Sequence, residues 1–254
     1  MIISLCNQKG GVGKTTTTLN LAAALQRTGA RVMVIDLDPQ AHLTYSLGLI
    51  DLEDRDELTV YEVLKKPSRL IEAIQMREGL ELLPSSLALS GAEIELSSEP
   101  GREYLLSRAL KPIKNKYDYI LIDCPPALGL LTLNALTACD DLYVPLETSA
   151  LSLQGIKQLM QTVEIIHDRL NPKLAEIGGV ILTRFDSRRK LDNKIVEMIT
   201  KMFAGRVFKT VIRQNVSLAE APSHGKSIFE YEPNSTGAED YAALAGEVLK
   251  RRKK

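Results

Sequence analysis

The sequence predicts an α/β fold: a single doubly wound, mostly parallel sheet flanked by helices, extending as one domain over residues 1–254. Three observations predict it. Short apolar runs recur without polar alternation, as strands covered on both faces require. Longer amphipathic stretches fall between them, so strand and helix alternate along the chain. The chain has 254 residues and 44% apolar side chains, enough for one large core, and no repeat or low-complexity linker divides it.

In order, strands are expected at 2–6, 31–36, 80–83, 119–123, 141–146, 177–183 and 206–212. Helices are expected at 15–28, 102–115, 130–138, 153–170, 190–203 and 238–250, with a short one at 60–64. The acidic patch at 51–57 reads as a solvated loop before that short helix. Aromatics are 5% and Trp is absent, so Leu, Ile, Val and Ala must fill the core. Basic and acidic residues balance at 32 each, so any nucleic-acid or membrane partner must be argued from local clusters. Cys6, Cys124 and Cys139 lie far apart without metal-ligand spacing and read as reduced thiols. No run of about 18 apolar residues exists to span a membrane, and no basic region precedes the first apolar run as in a signal peptide. A soluble, cytoplasmic protein is expected.

The segment Gly10-Gly11-Val12-Gly13-Lys14-Thr15 follows the first expected strand and opens the first expected helix. Glycines let backbone N–H groups turn toward phosphate oxygens with no Cβ in the way. The helix start adds the positive end of its dipole. Lys14 can reach β- and γ-phosphates, and the Thr15 hydroxyl can hold Mg²⁺. Asp36 and Asp38 end the second strand and Asp123 ends a later one. In an open parallel sheet, ligands bind at the carboxyl ends of the strands. An Asp at a strand end is often only a helix cap, but three beside a phosphate loop point to a site.

A second lysine, Lys9, lies five residues before Lys14, and the ordinary leading glycine of a phosphate loop is replaced by Gln8. Lys9-Gly10-Gly11-Val12-Gly13-Lys14-Thr15-Thr16 is a deviant Walker A loop. With Asp36-Leu37-Asp38-Pro39-Gln40-Ala41, Ile122-Asp123-Cys124-Pro125-Pro126 and the segment 218–225, Leu-Ala-Glu-Ala-Pro-Ser-His-Gly, the chain resembles the ParA/MinD superfamily of ATPases. It is most similar to the Soj-like partition branch.

The resemblance covers nearly the whole chain and implies several roles. ATP and Mg²⁺ are the implied cofactors, bound by residues 9–16, with Thr15, Asp36 and Asp123 serving the metal. Asp38 would orient the attacking water. Lys9, Lys14 and Asp38 would be catalytic, and Lys9 would reach the ATP of a second subunit. Arg213 and Asn215 would lie near the adenine. The implied partners are a second copy in the ATP state, non-specific double-stranded DNA and a ParB-like stimulating protein, with no membrane; the implied place is the nucleoid.

Nine basic residues against three acidic ones lie between 184 and 213. On their own these could be an ordinary solvated face; the resemblance implies that the DNA surface includes Arg184, Arg188, Arg189, Lys190 and Arg213, since phosphate contacts need only clustered cations. Ser217 departs from the branch, where an arginine is usual, and the basic run 250–254 could compensate. Three other readings remain: a MinD-like membrane-cycling regulator, a relative of the nitrogenase iron protein, and a ParA-like switch positioning another cargo. The Ala-rich C-terminal helix lacks the Phe and Trp that a membrane-surface helix uses, and the cysteines do not match a cluster site.

Overall fold

A computed structural model describes residues 1–50, 57–149, 156–174 and 176–252. Eight strands form one sheet: β1 Ile2–Leu5, β2 Val32–Asp36, β3 Gln75–Arg77, β4 Leu80–Leu83, β5 Tyr119–Asp123, β6 Asp141–Glu147, β7 Gly179–Phe185 and β8 Val207–Arg213. Their order across the sheet is β3-β4-β2-β5-β1-β6-β7-β8. Every pairing is parallel except β3 with β4. β1 sits between β5 and β6, so the chain leaves it toward β2 on one side and later crosses it to β6 on the other. That reversal makes a crevice at the carboxyl ends of the central strands.

The strands are apolar on both faces because helices cover both. Ile3, Leu5, Val34 and Leu121 face one core with the helices Lys14–Arg27 and Thr236–Arg252, whose Leu21, Tyr241 and Leu244 are buried. Ile2, Met33, Ile35 and Ile122 face the other core, under Leu130–Ala138, Ile156–Arg169 and Lys190–Met202. The β7–β8 edge closes around Gly179, where a Cβ would collide with the Phe208 ring. That ring packs edge-on to Tyr143 at 5.1 Å and carries the Arg251 guanidinium at 3.6 Å.

Several expectations shift. β3 lacks an apolar run and forms through a two-residue turn at Glu78 and Gly79, both at positive φ (47° and 74°). Such turns match the twist of an antiparallel pair. The helix expected at 102–115 is broken: an α-helix covers only Leu105–Leu110, because Pro112 cannot donate to a helical ladder. The short helix is Val60–Lys65, started by a capping box of Thr59 and Glu62. The expected 153–170 helix is seen as Ile156–Arg169, its first residues lying outside the described ones. Of the acidic patch, residues 51–56 also lie outside them; Glu57 accepts a hydrogen bond from Gln75 at 2.9 Å.

Candidate functional site

The phosphate loop joins β1 to the helix Lys14–Arg27 and is tied down from three sides. Asn7 Nδ2 donates to the Pro145 carbonyl at 2.7 Å, and Asn7 Oδ1 accepts from Lys9 N–H at 3.0 Å. Thr183 Oγ1 donates to the Val12 carbonyl at 2.9 Å. Gly11 and Gly13 take left-handed φ of 72° and 84°, which a side chain would strain. Lys14 is buried and folds back over the loop, its Nζ 3.5 Å from the Lys9 carbonyl.

Parallel pairing of β2 with β5 places Asp36 directly beside Asp123. Thr15 Oγ1 donates to Asp123 Oδ2 at 2.6 Å, and Thr18 Oγ1 lies 3.3 Å from Oδ1. Both threonines lie on one helical face, so the i, i+3 spacing turns both hydroxyls to the same carboxylate. Asp36 accepts three hydrogen bonds: from Thr44 N–H at 2.8 Å, Thr44 Oγ1 at 2.7 Å and Asp38 N–H at 3.1 Å. Burial pushes both carboxyls above their usual range, and Asp36 raises Asp123 further.

A buried pair of carboxylates with few cations nearby suits a positive ligand. The donors are a hydroxyl and carboxylate oxygens, the set a hard cation takes. Among the described residues no three His, Cys, Asp or Glu side chains gather into a closed metal cage. Mg²⁺ is commonly held through one or two carboxylates, with waters and substrate phosphates completing its shell. The three cysteines are buried and free.

Asp38 is buried in the loop after β2. Its Oδ1 accepts from Gln40 N–H at 3.0 Å and its carbonyl from Ser85 Oγ at 2.8 Å. Three residues on, Ala41 holds a left-handed φ of 52°, unusual for a residue with a Cβ, and starts the helix His42–Ser46. Thr44, Ser85 and Glu147 join the site without belonging to any of the sequence motifs. Thr44 and Ser85 carry no motif signal apart from position, whereas Glu147 ends a strand at the crevice.

Lys9 turns onto its own chain. Its Nζ donates to Glu147 Oε2 at 2.7 Å and Ser149 Oγ at 3.1 Å. Arg184, expected on a DNA surface, is exposed and lies across the phosphate loop: Nη1 donates to the Gly11 carbonyl at 3.2 Å and is 3.7 Å from Glu147 Oε1. Arg188 makes a two-pronged ion pair with Asp186, both contacts at 2.9 Å, and is 88% exposed. Arg189 and Lys190 are exposed beside it. Arg213 is taken up by Asp240 and Glu239, at 2.7 and 2.9 Å. Asn215 bonds Thr236 Oγ1 at 2.8 Å. Arg251 donates to the carbonyls of Gly178, Arg206 and Val207, which fixes it as a clasp on the β7–β8 edge.

A glycine loop between a central strand and a helix, with a Lys-Thr pair and a strand-end Asp at the switch point, defines a P-loop nucleotide-binding protein. The AAA domain family matches residues 1–176. The sporulation initiation inhibitor protein Soj of Bacillus subtilis (strain 168) is 48% identical over 97% of each chain. The chromosome partitioning protein ParA of Myxococcus xanthus (strain DK1622) is 43% identical over 98% of this chain and 88% of its own. Among solved structures, cobyrinic acid a,c-diamide synthase from Mycobacterium smegmatis with bound ADP and magnesium superposes with a TM-score of 0.88 at 35% identity, covering 100% of this chain and 95% of that one. This chain belongs to the ParA/MinD superfamily of deviant Walker A ATPases, in its Soj-like branch.

Proposed function

We propose that this chain is a weak ATPase that works as a dimerising switch for DNA segregation. Bound to ATP and Mg²⁺, it pairs with a second copy and binds double-stranded DNA without sequence preference, moving a chromosome or plasmid on the nucleoid. A ParB-like protein stimulates hydrolysis and returns it to a free monomer. The observation that carries this reading is the Thr15–Asp123 contact beneath a loop bearing two lysines, in a chain so similar to Soj along its length.

Each step has its residues. Backbone N–H groups of residues 10–16 and the Lys14 ammonium bind the β- and γ-phosphates. Thr15 and Asp123, with Asp36 behind them, would hold Mg²⁺, which would supply charge to neutralise the phosphates. Asp38 accepts a hydrogen bond from the attacking water and aligns it. Lys9 crosses to the nucleotide of the second copy, as an arginine finger does elsewhere. Arg188, Arg189 and Lys190, doubled by the two-fold of a dimer, meet DNA phosphates; Asp186 offsets part of that charge.

The membrane-cycling alternative is disfavoured by the C-terminal helix Thr236–Arg252, whose Tyr241, Leu244, Ala245 and Val248 are buried within the fold. No helix among the described residues is long and apolar enough to cross a membrane. The test is retention of the protein on immobilised DNA with ATP, with ADP and without nucleotide, at low and raised salt. Retention confined to ATP and fading with salt is expected. Equal retention in all three states would overturn the switch.

A further inference from the structure

We infer that Arg184 is a positioning residue for Lys9, acting through Glu147. The inference rests on the proposed reading that Lys9 leaves its own subunit to meet the ATP of a second copy. In this structure Lys9 is stored instead: Glu147 and Ser149 hold its ammonium at the end of β6. The pair is only partly open to water, with side chains 35% and 25% exposed. Were Lys9 its sole cation, drawing Lys9 away would leave a partly buried carboxylate unpaired, which opposes release.

Arg184 supplies the replacement. Its Nη1 lies 3.7 Å from Oε1, the Glu147 oxygen that Lys9 does not use. The same nitrogen is fixed in place by the Gly11 carbonyl at 3.2 Å. Arg184 takes a left-handed φ of 53° at a break in the β7–β8 register between Leu182 and Phe185. A side chain accepts that backbone region only against steric resistance, so surrounding contacts must enforce it. One carboxylate thus faces two cations. When Lys9 departs, Glu147 closes on Arg184, and the chain passes from a stored to a released Lys9 without stranding a charge.

The experiment measures ATP-dependent self-association by sedimentation, without DNA. Wild type must dimerise with ATP and Lys9→Ala must not; if either control fails, the underlying reading fails rather than this inference. With both in place, Arg184→Met is expected to weaken the dimer about fivefold, the scale of a partly exposed ion pair. Measuring at saturating ATP keeps any change in nucleotide affinity, which loss of the Gly11 contact could bring, apart from the strength of the dimer. Arg184→Lys should restore most of the association. In a Glu147→Gln background no carboxylate needs a replacement cation, so Arg184→Met should have no further effect. Wild-type dimerisation by Arg184→Met would overturn the inference. So would an undiminished loss in the Glu147→Gln background, which would place the effect outside Glu147.

Discussion

Two glycines meet back to back behind the carboxylates, and the structure makes them unequal. Gly48 follows the helix His42–Ser46 and Gly225 ends the segment 218–225; both are left-handed, at φ 74° and 64°. An alanine at either position takes on the left-handed penalty, roughly 1–2 kcal/mol. A Cβ at Gly48 would lie 3.6 Å from Gly225 Cα, an ordinary contact. A Cβ at Gly225 would lie 2.8 Å from Gly48 Cα and 3.1 Å from its nitrogen. Those are backbone atoms and cannot rotate away, so overpacking adds about 1–3 kcal/mol. Gly225→Ala is therefore expected to destabilise by roughly 2–5 kcal/mol, and Gly48→Ala by roughly 1–2 kcal/mol. Urea unfolding of the two variants against wild type measures the difference. The push would fall on the helix carrying Thr44, which holds Asp36, so nucleotide binding by Gly225→Ala should also weaken. If Gly225→Ala proves no less stable than Gly48→Ala, the packing argument is wrong.

Asp38→Ala should bind ATP as wild type does and hydrolyse it about a hundredfold more slowly, the low side of what a positioned proton acceptor contributes; dimers should accumulate with ATP in size-exclusion runs, and normal turnover would remove the water-aligning role. Arg188→Glu should weaken DNA retention while leaving ATP-dependent dimerisation intact, and a parallel loss of both would show that this arginine is not acting at a DNA surface. Burial pushes the Asp141 carboxyl up to about 6, against its hydrogen bond from Leu142 N–H and the Arg251 charge. Because the folded value lies above the unfolded one, the neutral acid favours the fold at low pH and that advantage is lost as pH rises to about 6. The stability of Asp141→Asn relative to wild type should therefore grow across that interval, and a constant difference between the two would refute the shift.

The fold was legible because its determinants are local. Apolar runs such as Tyr119–Asp123 and Val32–Asp36 coincide with strands, since strands buried on both faces must be apolar up to their ends. β3 was not legible because Gln75-Met76-Arg77 carries no pattern and is a strand only through the turn at Glu78 and Gly79. The break after Leu110 is written in Pro112, although the amphipathic pattern continues on both sides of it. At the site, the loop and the strand-end carboxylates could be read from spacing alone. Glu147, Thr44 and Ser85 could not, since their roles come from β6 lying beside β1 and β4 beside β2, pairings that no short window contains. Charge counting likewise cannot show partners: Arg184, Arg213 and Arg251 sit in a basic sequence context, and the fold sets them beside Glu147, Asp240 and backbone carbonyls.

The charges around the crevice explain why a second copy would complete the site. Asp36, Asp38 and Asp123 bring three carboxyls to the ends of β2 and β5, with Lys14 the buried cation beside them. Such a group does not favour a polyphosphate until further positive charge arrives. Mg²⁺ at Thr15 and Asp123 supplies part of it on the proposed reading, and Lys9 is the nearest further cation on the loop. Its own fold turns Lys9 aside toward Glu147. A lysine held by a carboxylate in its own subunit adds little attraction for its own nucleotide; the same lysine presented to a second copy adds a full charge there. On the proposed reading, coupling between ATP and self-association would follow from where Lys9 is stored, and its strength would depend on how readily Glu147 gives Lys9 up.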